Sequence, residues 1–355
     1  MIQRRKTKKI KIGNAFVGGN SNILVQSMLK YPSDDIENNV LQAKELERSG
    51  CQILRVSIPD KKSISLIKKI KNSINIPLVA DIHFDSQLAI DSVFAGADKI
   101  RINPGNIDKQ NLKKIIKICD QKNIPIRIGL NSGSIEKAFL NKSENPSEAI
   151  IESALSSIKF FESCGFDKIV ISLKSSDVLQ TIHLYERISD LCDYPLHIGI
   201  TEAGTRQIGI VKSCIGIGSL LSRGIGDTIR VSLTGNPITE VETGFKILKS
   251  LNLCDGVEII SCPTCGRTTI DVEALADSVE KITKNIKKNI KIAIMGCPVN
   301  GIGESKNADF GISGANGIGI IFSHGKIIKK VSQDCLIDEL ETIIKDFDHS
   351  NKELF

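Results

Sequence analysis

The sequence predicts an α/β protein in which an N-terminal parallel (β/α)8 barrel, the TIM-barrel fold, is followed by a small α+β domain. Two observations predict the barrel. Short apolar runs alternate with longer amphipathic segments up to about residue 250, and this alternation repeats eight times. An open doubly wound sheet is the alternative, but it normally has fewer strands and a glycine-rich phosphate loop after its first strand, and no such loop is visible.

The eight predicted strands are short and mostly rich in β-branched residues, as buried parallel strands are. They span residues 23–28, 52–58, 76–84, 98–105, 124–131, 168–174, 195–201 and 227–233. Between them lie helical patterns with recognisable ends. Segment 33–50 opens with Ser and Asp cap signals and closes on glycine, 145–165 has an early proline and a final glycine, and 236–251 is the last of the series.

Beyond residue 255 the pattern changes to that of a small α+β module. Two segments, 256–267 and 290–304, each predict a strand that runs into a cysteine-containing loop. The module also predicts a helix over 271–286, a hairpin over 317–331 that turns at His-Gly, and a closing helix over 336–347. With a linker near 250–256, we expect one domain over 1–252 and a second over 253–355.

The composition is that of an ordinary globular protein. The net charge of +6 arises from 47 basic and 41 acidic residues that are mixed along the chain, which does not indicate nucleic-acid binding. No apolar run is long enough to span a membrane, and no apolar segment follows the basic N-terminus. We therefore expect a cytoplasmic protein, in which the ten cysteines are free, metal-bound or catalytic and not disulfide-bonded.

Basic side chains lie at or just after the carboxyl ends of the predicted strands, where a barrel would bring them to one mouth. Several cations around one pocket suit a multiply charged phosphate ligand, because arginine binds phosphate oxygens through paired hydrogen bonds. For each residue alone, a surface salt bridge is the alternative. Together they predict a phosphorylated substrate, and they are Arg55, Arg101, Arg127, Lys174 and Arg230.

Candidates for acid–base chemistry lie at the same predicted mouth. Asp81 and His83 are two residues apart in "ADIHF", so they share one face of a strand. Glu202 lies in "GITEAG", at another strand end. A lone histidine is equally consistent with a satisfied core group. Lys174 is also a candidate Schiff-base lysine of an aldolase-type barrel, although that interpretation gives the cysteine loops no role.

The cysteine loops predict a metal site. Cys262 and Cys265 form a C-x-x-C turn, and Cys297 lies in the second loop, so the pattern supplies three thiolates. A zinc ribbon would need a second C-x-x-C or C-x-x-H, whereas an iron–sulfur cluster tolerates one non-cysteine ligand. The candidates for the fourth position are Cys254, Cys335 and Glu304, although an acid like Glu304 is also common at a helix N-terminus.

Longer motifs occur in order along nearly the whole chain. They read "QSM", "RVSIP", "PLVADIHFD", "KIRINPGN", "IPIRIGLNSGS", "SLKSSD", "PLHIGITEAG", "GIGDTIRVSLTGNP", "SCPTCGR" and "GCPVNGIGE". In these motifs the chain resembles the bacterial 4-hydroxy-3-methylbut-2-enyl diphosphate synthases. One departure is visible, because Thr205 stands near Glu202 where the family usually has glycine.

The resemblance implies a TIM barrel fused to a small [4Fe–4S] domain, and from the composition we expect neither nucleic-acid nor membrane partners. It implies a head-to-tail homodimer in which the cluster of one chain caps the barrel mouth of the other. The implied reaction opens the ring of 2-C-methyl-D-erythritol 2,4-cyclodiphosphate with two electrons and removes water. Flavodoxin or ferredoxin would supply the electrons, and the reaction is the penultimate step of non-mevalonate isoprenoid synthesis.

The resemblance also implies roles for individual residues. Cys262, Cys265, Cys297 and Glu304 would hold the cluster, and Glu202 would donate a proton to the departing hydroxyl. The substrate would be bound by Arg55, Asp81, His83, Arg101, Arg127, Asn131, Lys174, Arg230 and Ser232.

Two other functions remain as alternatives at this point. The first is a zinc-stapled TIM-barrel lyase in which Lys174 forms a Schiff base with a phosphorylated substrate. The second is a non-catalytic zinc-ribbon module that binds nucleic acid. That module would need a concentrated basic stripe or stacking aromatics near its cysteines, and this sequence has neither there.

Overall fold

The computed structural model describes residues 2–131, 145–284, 286–297, 304–315 and 317–349, and the side chains of residues 131, 304, 305, 315, 348 and 349 lie outside the description. The chain divides into two compact units, Met1–Leu251 and Asn252–Phe355. We describe each unit by itself.

The first unit is built on a parallel sheet, which has eight strands in the described part of the chain. The strands are β3 (Leu24–Met28), β4 (Ile53–Ser57), β5 (Leu78–Asp81), β6 (Lys99–Ile102), β7 (Ile126–Asn131), β8 (Ile169–Lys174), β9 (His197–Ile198) and β10 (Thr228–Ile229). Their order is β8-β7-β6-β5-β4-β3-β10-β9, and a parallel bridge between Ile171 and Leu196 closes the barrel. The predicted barrel is therefore confirmed.

The last two barrel strands are shorter than the sequence predicts. β9 and β10 each have two residues, against seven in each predicted run. The two segments stay close beyond the regular strand pairing, since the Arg230 amide donates to the Ile198 carbonyl at 3.0 Å. A Cβ atom at Gly199 would lie 2.3 Å from the Arg230 carbonyl oxygen, so glycine is required for this close approach.

Helices follow the strands and cover the barrel. Those of the first unit are α1 (Ile36–Arg48), α2 (Ile64–Lys71), α3 (Ser86–Phe94), α4 (Lys109–Gln121), α5 (Pro146–Ser163), α6 (Val178–Leu191), α7 (Arg206–Ser222) and α8 (Pro237–Ser250). Many begin after an Asp or Asn whose side chain accepts a backbone N–H, as Asp108 does before α4. α1, α5 and α8 lie within the predicted helices. No helix among the described residues is long and apolar enough to cross a membrane.

An N-terminal hairpin closes the amino end of the barrel. Its strands are β1 (Ile10–Ile12) and β2 (Ala15–Val17), which pair antiparallel. Ile12 and Val17 are fully buried against Leu24, Ile53 and Val79, which lie at or near the starts of three barrel strands. The sequence analysis did not predict this hairpin. The hairpin fills the amino end of the barrel with apolar side chains, and the polar residues of the mouth lie at the opposite, carboxyl end.

The second unit is a mixed sheet with helices packed on it. The strands β11 (Val257–Ser261), β12 (Ile290–Ile294), β13 (Phe310–Ala315), β14 (Ile318–Ser323) and β15 (Lys326–Ser332) lie in chain order. The first three are parallel and the others antiparallel. The helices are α9 (Val272–Ile282) and α10 (Leu336–His349).

The predicted hairpin of the second unit is confirmed, and β13 was missed. His324 and Gly325 both have positive φ, +46° and +76°, which suits the tight turn between β14 and β15. In β13, Gly311 lies in register with Phe322 of β14. A Cβ atom on Gly311 would lie 1.9 Å from a ring carbon of Phe322 and 2.9 Å from the Ala293 carbonyl oxygen.

Gly311→Ala should therefore destabilise the second unit by about 1–3 kcal/mol, because the added methyl overpacks the sheet. Gly218→Ala is the matched control, since no atom lies within 4 Å of the Cβ position there and alanine favours the helix. Thermal unfolding monitored by circular dichroism should show a lower midpoint temperature for Gly311→Ala than for the wild type. The midpoint of Gly218→Ala should not be lowered. Equal transitions in both variants would contradict the packing around Gly311.

Candidate functional site

The predicted substrate residues come together at the carboxyl end of the barrel. Asp81 of β5, Arg101 of β6 and Arg127 of β7 lie side by side in the strand register. Arg55 lies on β4, next to β5, and Lys174 ends β8. Parallel strands place their carboxyl ends at one mouth, so the cationic cluster that the sequence predicts is present in the fold.

Asp81 is the centre of the ionic network at this mouth. Its carboxylate is 1% exposed and accepts a hydrogen bond from Arg55 Nη2 at 2.6 Å. Arg101 Nη1 lies 3.4 Å from Asp81 Oδ1. His83 Nε2 lies 3.2 Å from Asp81 Oδ2, the oxygen that Arg55 binds. Burial would raise the pKa of Asp81, but the charges of Arg55 and Arg101 and the His83 contact outweigh it, so the pKa falls well below its usual range.

Arg101 is held in place by backbone as well as by Asp81. Its Nη2 donates to the Gly129 carbonyl at 3.0 Å. A Cβ atom at Gly129 would lie 2.2 Å from Arg101 Nε, so a side chain there would displace the guanidinium. Burial lowers the pKa of Arg101, while the charge of Asp81 raises it. The glycine in "IRIGLN" is therefore part of the site, which the sequence analysis did not recognise.

A second layer of basic side chains lies deeper in the barrel. Arg127 is 1% exposed, and its Nη1 donates to Gln26 Oε1 at 3.2 Å. Lys99 and His197 are fully buried, and His197 Nδ1 lies 2.8 Å from Thr228 Oγ1. Among the described residues, Lys99 Nζ, Arg127 Nε and His197 Nε2 have no hydrogen-bond partner. The hydrogen-bonding capacity of this layer is therefore not met by the described residues.

Charge and burial act together on this layer. Burial and the charges of Arg127 and Arg55 hold the pKa of Lys99 well below its usual range. Burial, followed by the charges of Arg127 and Lys174, lowers the pKa of His197 in the same way. The sequence analysis missed both residues. A signal was available for Lys99, which is two residues before Arg101 and therefore points to the same inner face.

Lys174 and Arg230 complete the mouth on the other side. Lys174 is 8% exposed, and its pKa is lowered by burial and by the charges of Arg230 and Arg127. Burial lowers the pKa of Arg230 to about 10, against the opposing charge of Glu240. Ser232 follows two residues later, and its hydroxyl is buried without a hydrogen-bond partner in the described part of the chain.

Glu202 lies in the loop after β9 in an unusual backbone conformation. It is exposed and has φ of +51°, a left-handed value that is uncommon for a residue with a side chain and is found at functional sites. Thr205, the departure from the family pattern, is the N-cap of α7 with φ of −60°, so a β-branched residue fits there without strain. The side chain of Asn131 lies outside the described residues, although its backbone pairs with Lys174.

The cysteine loops extend from neighbouring parallel strands of the second unit. Cys262 directly follows β11, and Cys297 follows β12, so both lie at one end of the sheet. The Cys262 amide donates to the Ile294 carbonyl at 2.9 Å, and the Thr269 amide donates to the Gly296 carbonyl at 2.9 Å. Cys297 is buried, whereas Cys265 is exposed. These backbone contacts hold the two loops together.

The electrostatics of the first cysteine loop favour the thiolate form of Cys265. The Arg267 backbone and side chain lower the pKa of the Cys265 thiol through hydrogen bonds. The hydrogen bond and charge of Cys265, together with the charges of Cys297 and Cys262, raise the pKa of Arg267. All three thiols act electrostatically on this one guanidinium, and three cysteines are a donor set that fits an iron–sulfur cluster in type. Within the described residues, however, no three His, Cys, Asp or Glu side chains form a group close enough to hold a metal ion.

The predicted fourth ligand, Glu304, is only partly described. The backbone of Glu304 begins a short 3-10 helix, Glu304–Asn307, but its side chain lies outside the described residues, as do residues 298–303. Of the rival cysteines, Cys335 is exposed and ends the short helix Gln333–Cys335, and Cys254 is half-buried.

Comparisons with known proteins match both units. Residues 7–245 match the GcpE TIM-barrel domain, and residues 258–346 match the GcpE protein C-terminal domain. A protein of Caldanaerobacter subterraneus named 4-hydroxy-3-methylbut-2-en-1-yl diphosphate synthase (flavodoxin) is 57% identical over 96% of this chain and 97% of its own. A protein of the same name from Fusobacterium nucleatum is 52% identical over 98% of this chain and 99% of its own.

Solved structures of dihydropteroate synthases resemble part of this chain in fold. Dihydropteroate synthase from Xanthomonas albilineans, in complex with 7,8-dihydropteroate, superposes with a TM-score of 0.53. It is 15% identical and covers 69% of this chain and 98% of its own, so the likeness concerns the fold only. The family domains, by contrast, match the barrel and the cysteine-bearing unit in order, which confirms the resemblance seen in the motifs: the chain belongs to the GcpE family.

Proposed function

We propose that this chain is a 4-hydroxy-3-methylbut-2-enyl diphosphate synthase of the non-mevalonate isoprenoid pathway. It converts 2-C-methyl-D-erythritol 2,4-cyclodiphosphate by two-electron reductive ring opening and dehydration. The name shared by the relatives from Caldanaerobacter and Fusobacterium supports this function, at 57% and 52% identity over nearly the full chain.

The observation that carries the proposal is the excess of positive charge at the barrel mouth. Arg55 and Arg101 pair with the carboxylate of Asp81, and Arg230 lies 3.9 Å from that of Glu240. Arg127 and Lys174 form no ion pair within the described part of the chain, so the basic groups outnumber the carboxylates. A cyclic diphosphate supplies the missing negative charge. When the ring C–O bond breaks, the freed phosphate oxygen gains charge, which these cations stabilise. This side of the reaction therefore needs no proton.

The departing hydroxyl does need a proton in order to leave as water. We assign this proton to the carboxyl group of Glu202, which would donate it in its protonated form and which lies exposed in the loop after β9. His83 and Asp81 bind and orient the substrate together with Asn131 and Ser232. The buried hydroxyl of Ser232, which lacks a partner among the described residues, is available to donate to a phosphate oxygen.

The cofactor of the proposed enzyme is a [4Fe–4S] cluster. Cys262, Cys265, Cys297 and Glu304 would hold it, and it would supply the two electrons one at a time. Carboxylate is a more easily displaced iron ligand than thiolate, which gives a reason for glutamate in the fourth position. The reducing environment that such thiolates need supports a cytoplasmic location.

The proposed electron donor is flavodoxin, which the names of the relatives include, or ferredoxin. We also propose a homodimer in which the cluster domain of one chain caps the partner's barrel. The outward face of α7 supports self-association, because Ile208, Val211 and Ile215 are each more than 50% exposed there. A helix that is apolar towards solvent as well as towards its own core is typical of a buried interface.

A zinc-stapled Schiff-base lyase is the rival function. The lowered pKa of Lys174, caused by burial and neighbouring cations, would also suit a Schiff-base lysine. Family membership and the names of the relatives favour the reductive reaction instead. Anaerobically purified protein should be brown and should contain iron and sulfide, whereas a colourless protein with stoichiometric zinc would support the lyase.

Cys297→Ser should abolish both cluster content and conversion of the cyclodiphosphate with reduced flavodoxin, because the buried thiolate is a proposed ligand. Cys335→Ser is the matched control, since Cys335 is an exposed cysteine of the same unit. Iron analysis and the visible spectrum measure the cluster, and product formation measures activity. Normal iron content in Cys297→Ser would contradict its assignment.

Arg55→Gln should raise the dissociation constant of the cyclodiphosphate at least tenfold, consistent with the loss of about 1.5–3 kcal/mol from one charge-assisted contact. Arg223→Gln serves as the control, because its side chain is 55% exposed in a surface ion pair with Glu186. Isothermal titration calorimetry without reductant measures both constants. Unchanged binding in Arg55→Gln would exclude it from the substrate site.

Substrate binding should also be coupled to proton uptake. Burial lowers the pKa of Lys99 most, and the charges of Arg127 and Arg55 lower it further. An anionic ligand opposes the effect of these two charges, so binding raises the pKa of Lys99. Between the two pKa values, binding takes up to about one proton and weakens as the pH rises. Calorimetry in buffers of different ionisation enthalpy measures this uptake.

Lys99→Met should reduce the uptake and flatten the pH dependence. The charged groups that act on Lys99 are Arg127 and Arg55. The pKa of His197 is also lowered, by burial and by cations that include Lys99. His197→Gln should therefore remove only its own share of the uptake. Identical proton uptake in the wild type and in Lys99→Met would show that Lys99 does not change its protonation state.

A further inference from the structure

Glu240 is a buried carboxylate that neither the sequence motifs nor the proposed reaction uses. It lies in the first turn of α8 and is 1% exposed. Its Oε2 accepts a hydrogen bond from the Ser27 hydroxyl at 3.0 Å, and its Oε1 accepts one from the Leu233 amide at 3.0 Å. Lys30 Nζ lies 2.9 Å from the same Oε1. A buried carboxylate with such partners fixes the groups that it binds.

The partners of Glu240 belong to two neighbouring segments at the mouth. Ser27 is in β3 and Lys30 follows it, whereas Leu233 follows β10, which pairs with β3. Lys30 Nζ strengthens the connection by donating to the carbonyls of Leu233 and Gly235, both at 2.7 Å. Glu240 and Lys30 thus fasten the segment 230–235 to the end of β3.

The fastened segment carries two proposed substrate ligands, Arg230 and Ser232. Arg230 Nε lies 3.9 Å from Glu240 Oε2, an ion pair without a hydrogen bond. Burial lowers the pKa of Arg230 to about 10, and the charge of Glu240 opposes this effect. Ser232 immediately precedes Leu233, whose amide Glu240 binds. Both side chains therefore depend on the Glu240 contacts for their position.

We infer that Glu240 and Lys30 form a positioning clamp that holds Arg230 and Ser232 towards the diphosphate of the substrate. Neither clamp residue needs to touch the substrate. The inference rests on the proposed function, because that function assigns the diphosphate to Arg230 and Ser232.

The sign of one mutational effect separates the clamp from a background charge. Glu240→Gln keeps the shape of the side chain and removes one negative charge. If Glu240 only added negative potential near the mouth, its loss would strengthen the binding of an anionic ligand. If Glu240 positions Arg230 and the 230–235 segment, its loss weakens that binding.

The experiment uses the full-length, cluster-loaded protein without reductant and measures cyclodiphosphate binding by calorimetry. Glu240→Gln should raise the dissociation constant at least about tenfold, and kcat at saturating substrate should also fall, because Arg230 is one of the cations that stabilise the freed phosphate oxygen. Lys30→Met should act in the same direction. The double variant should lose less affinity than the product of the single effects, because both residues fasten one segment.

Lys71→Met provides a matched control at the opposite end of the barrel. Lys71 Nζ lies 2.6 Å from Asp98, and its side chain is 28% exposed, as is that of Lys30. Lys71→Met should leave the dissociation constant unchanged. Thermal unfolding of all variants shows whether each is folded, and if Glu240→Gln does not fold, Lys30→Met decides the question.

If the wild-type protein binds the cyclodiphosphate and Glu240→Gln binds it equally or more tightly, the clamp is overturned and the proposed function is not. Wild-type affinity in Lys30→Met, or strictly multiplicative effects in the double variant, would do the same. Failure of the wild-type protein to bind the cyclodiphosphate would instead overturn the proposed function, and the role of the clamp with it.

Discussion

The structure of the barrel depends on a concentration of positive charge that its own carboxylates do not neutralise. Asp81 lies among the arginines of the mouth, and Glu240 lies beside Arg230, yet Lys99 Nζ and Arg127 Nε have no hydrogen-bond partner among the described residues. Taking a charge or an unpaired polar group out of water is expensive, so such an arrangement reduces stability unless a ligand offsets it. An anion with two phosphoryl groups offsets several of these cations at once. The free energy that the fold gives up at this mouth is thus available for recognising that ligand.

Other parts of the barrel shape the space around these basic side chains. The hairpin of β1 and β2 fills the amino end with Ile12 and Val17, which confines the polar interior to the carboxyl half. Two glycines make room inside: Gly129 for the Arg101 guanidinium, and Gly199 for the approach of the Arg230 backbone. Any side chain at either position would move a cation of the site. Glycine and apolar residues therefore shape the mouth as much as the charged residues that occupy it.

The sequence allowed prediction of the eight barrel strands and of the mouth, because a basic residue at the end of a buried strand is costly unless the strand ends open onto a site. It did not reveal Lys99, His197 or Glu240. In a sequence, an isolated Lys or Glu looks like a surface residue, and only the strand register and burial show that these are enclosed. β13 was missed because its glycines weaken the strand pattern, and the need for Gly311 is visible only once the Phe322 ring is seen to occupy the space of a side chain. Likewise, C-x-x-C spacing predicts thiolate ligands, but the contact of the two loops depends on the parallel pairing of β11 with β12.

The central claim is that the barrel interior is built for a multiply charged anion. It is tested most directly by comparing how the wild-type protein unfolds with the cyclodiphosphate and with the uncharged parent polyol, 2-C-methyl-D-erythritol. At a ligand concentration of about 100 times its dissociation constant, the cyclodiphosphate should stabilise the protein by about 2.7 kcal/mol. This stabilisation should decrease as salt is added, and the polyol at the same concentration should give none. Equal stabilisation by the two ligands, or none by the cyclodiphosphate, would contradict the account.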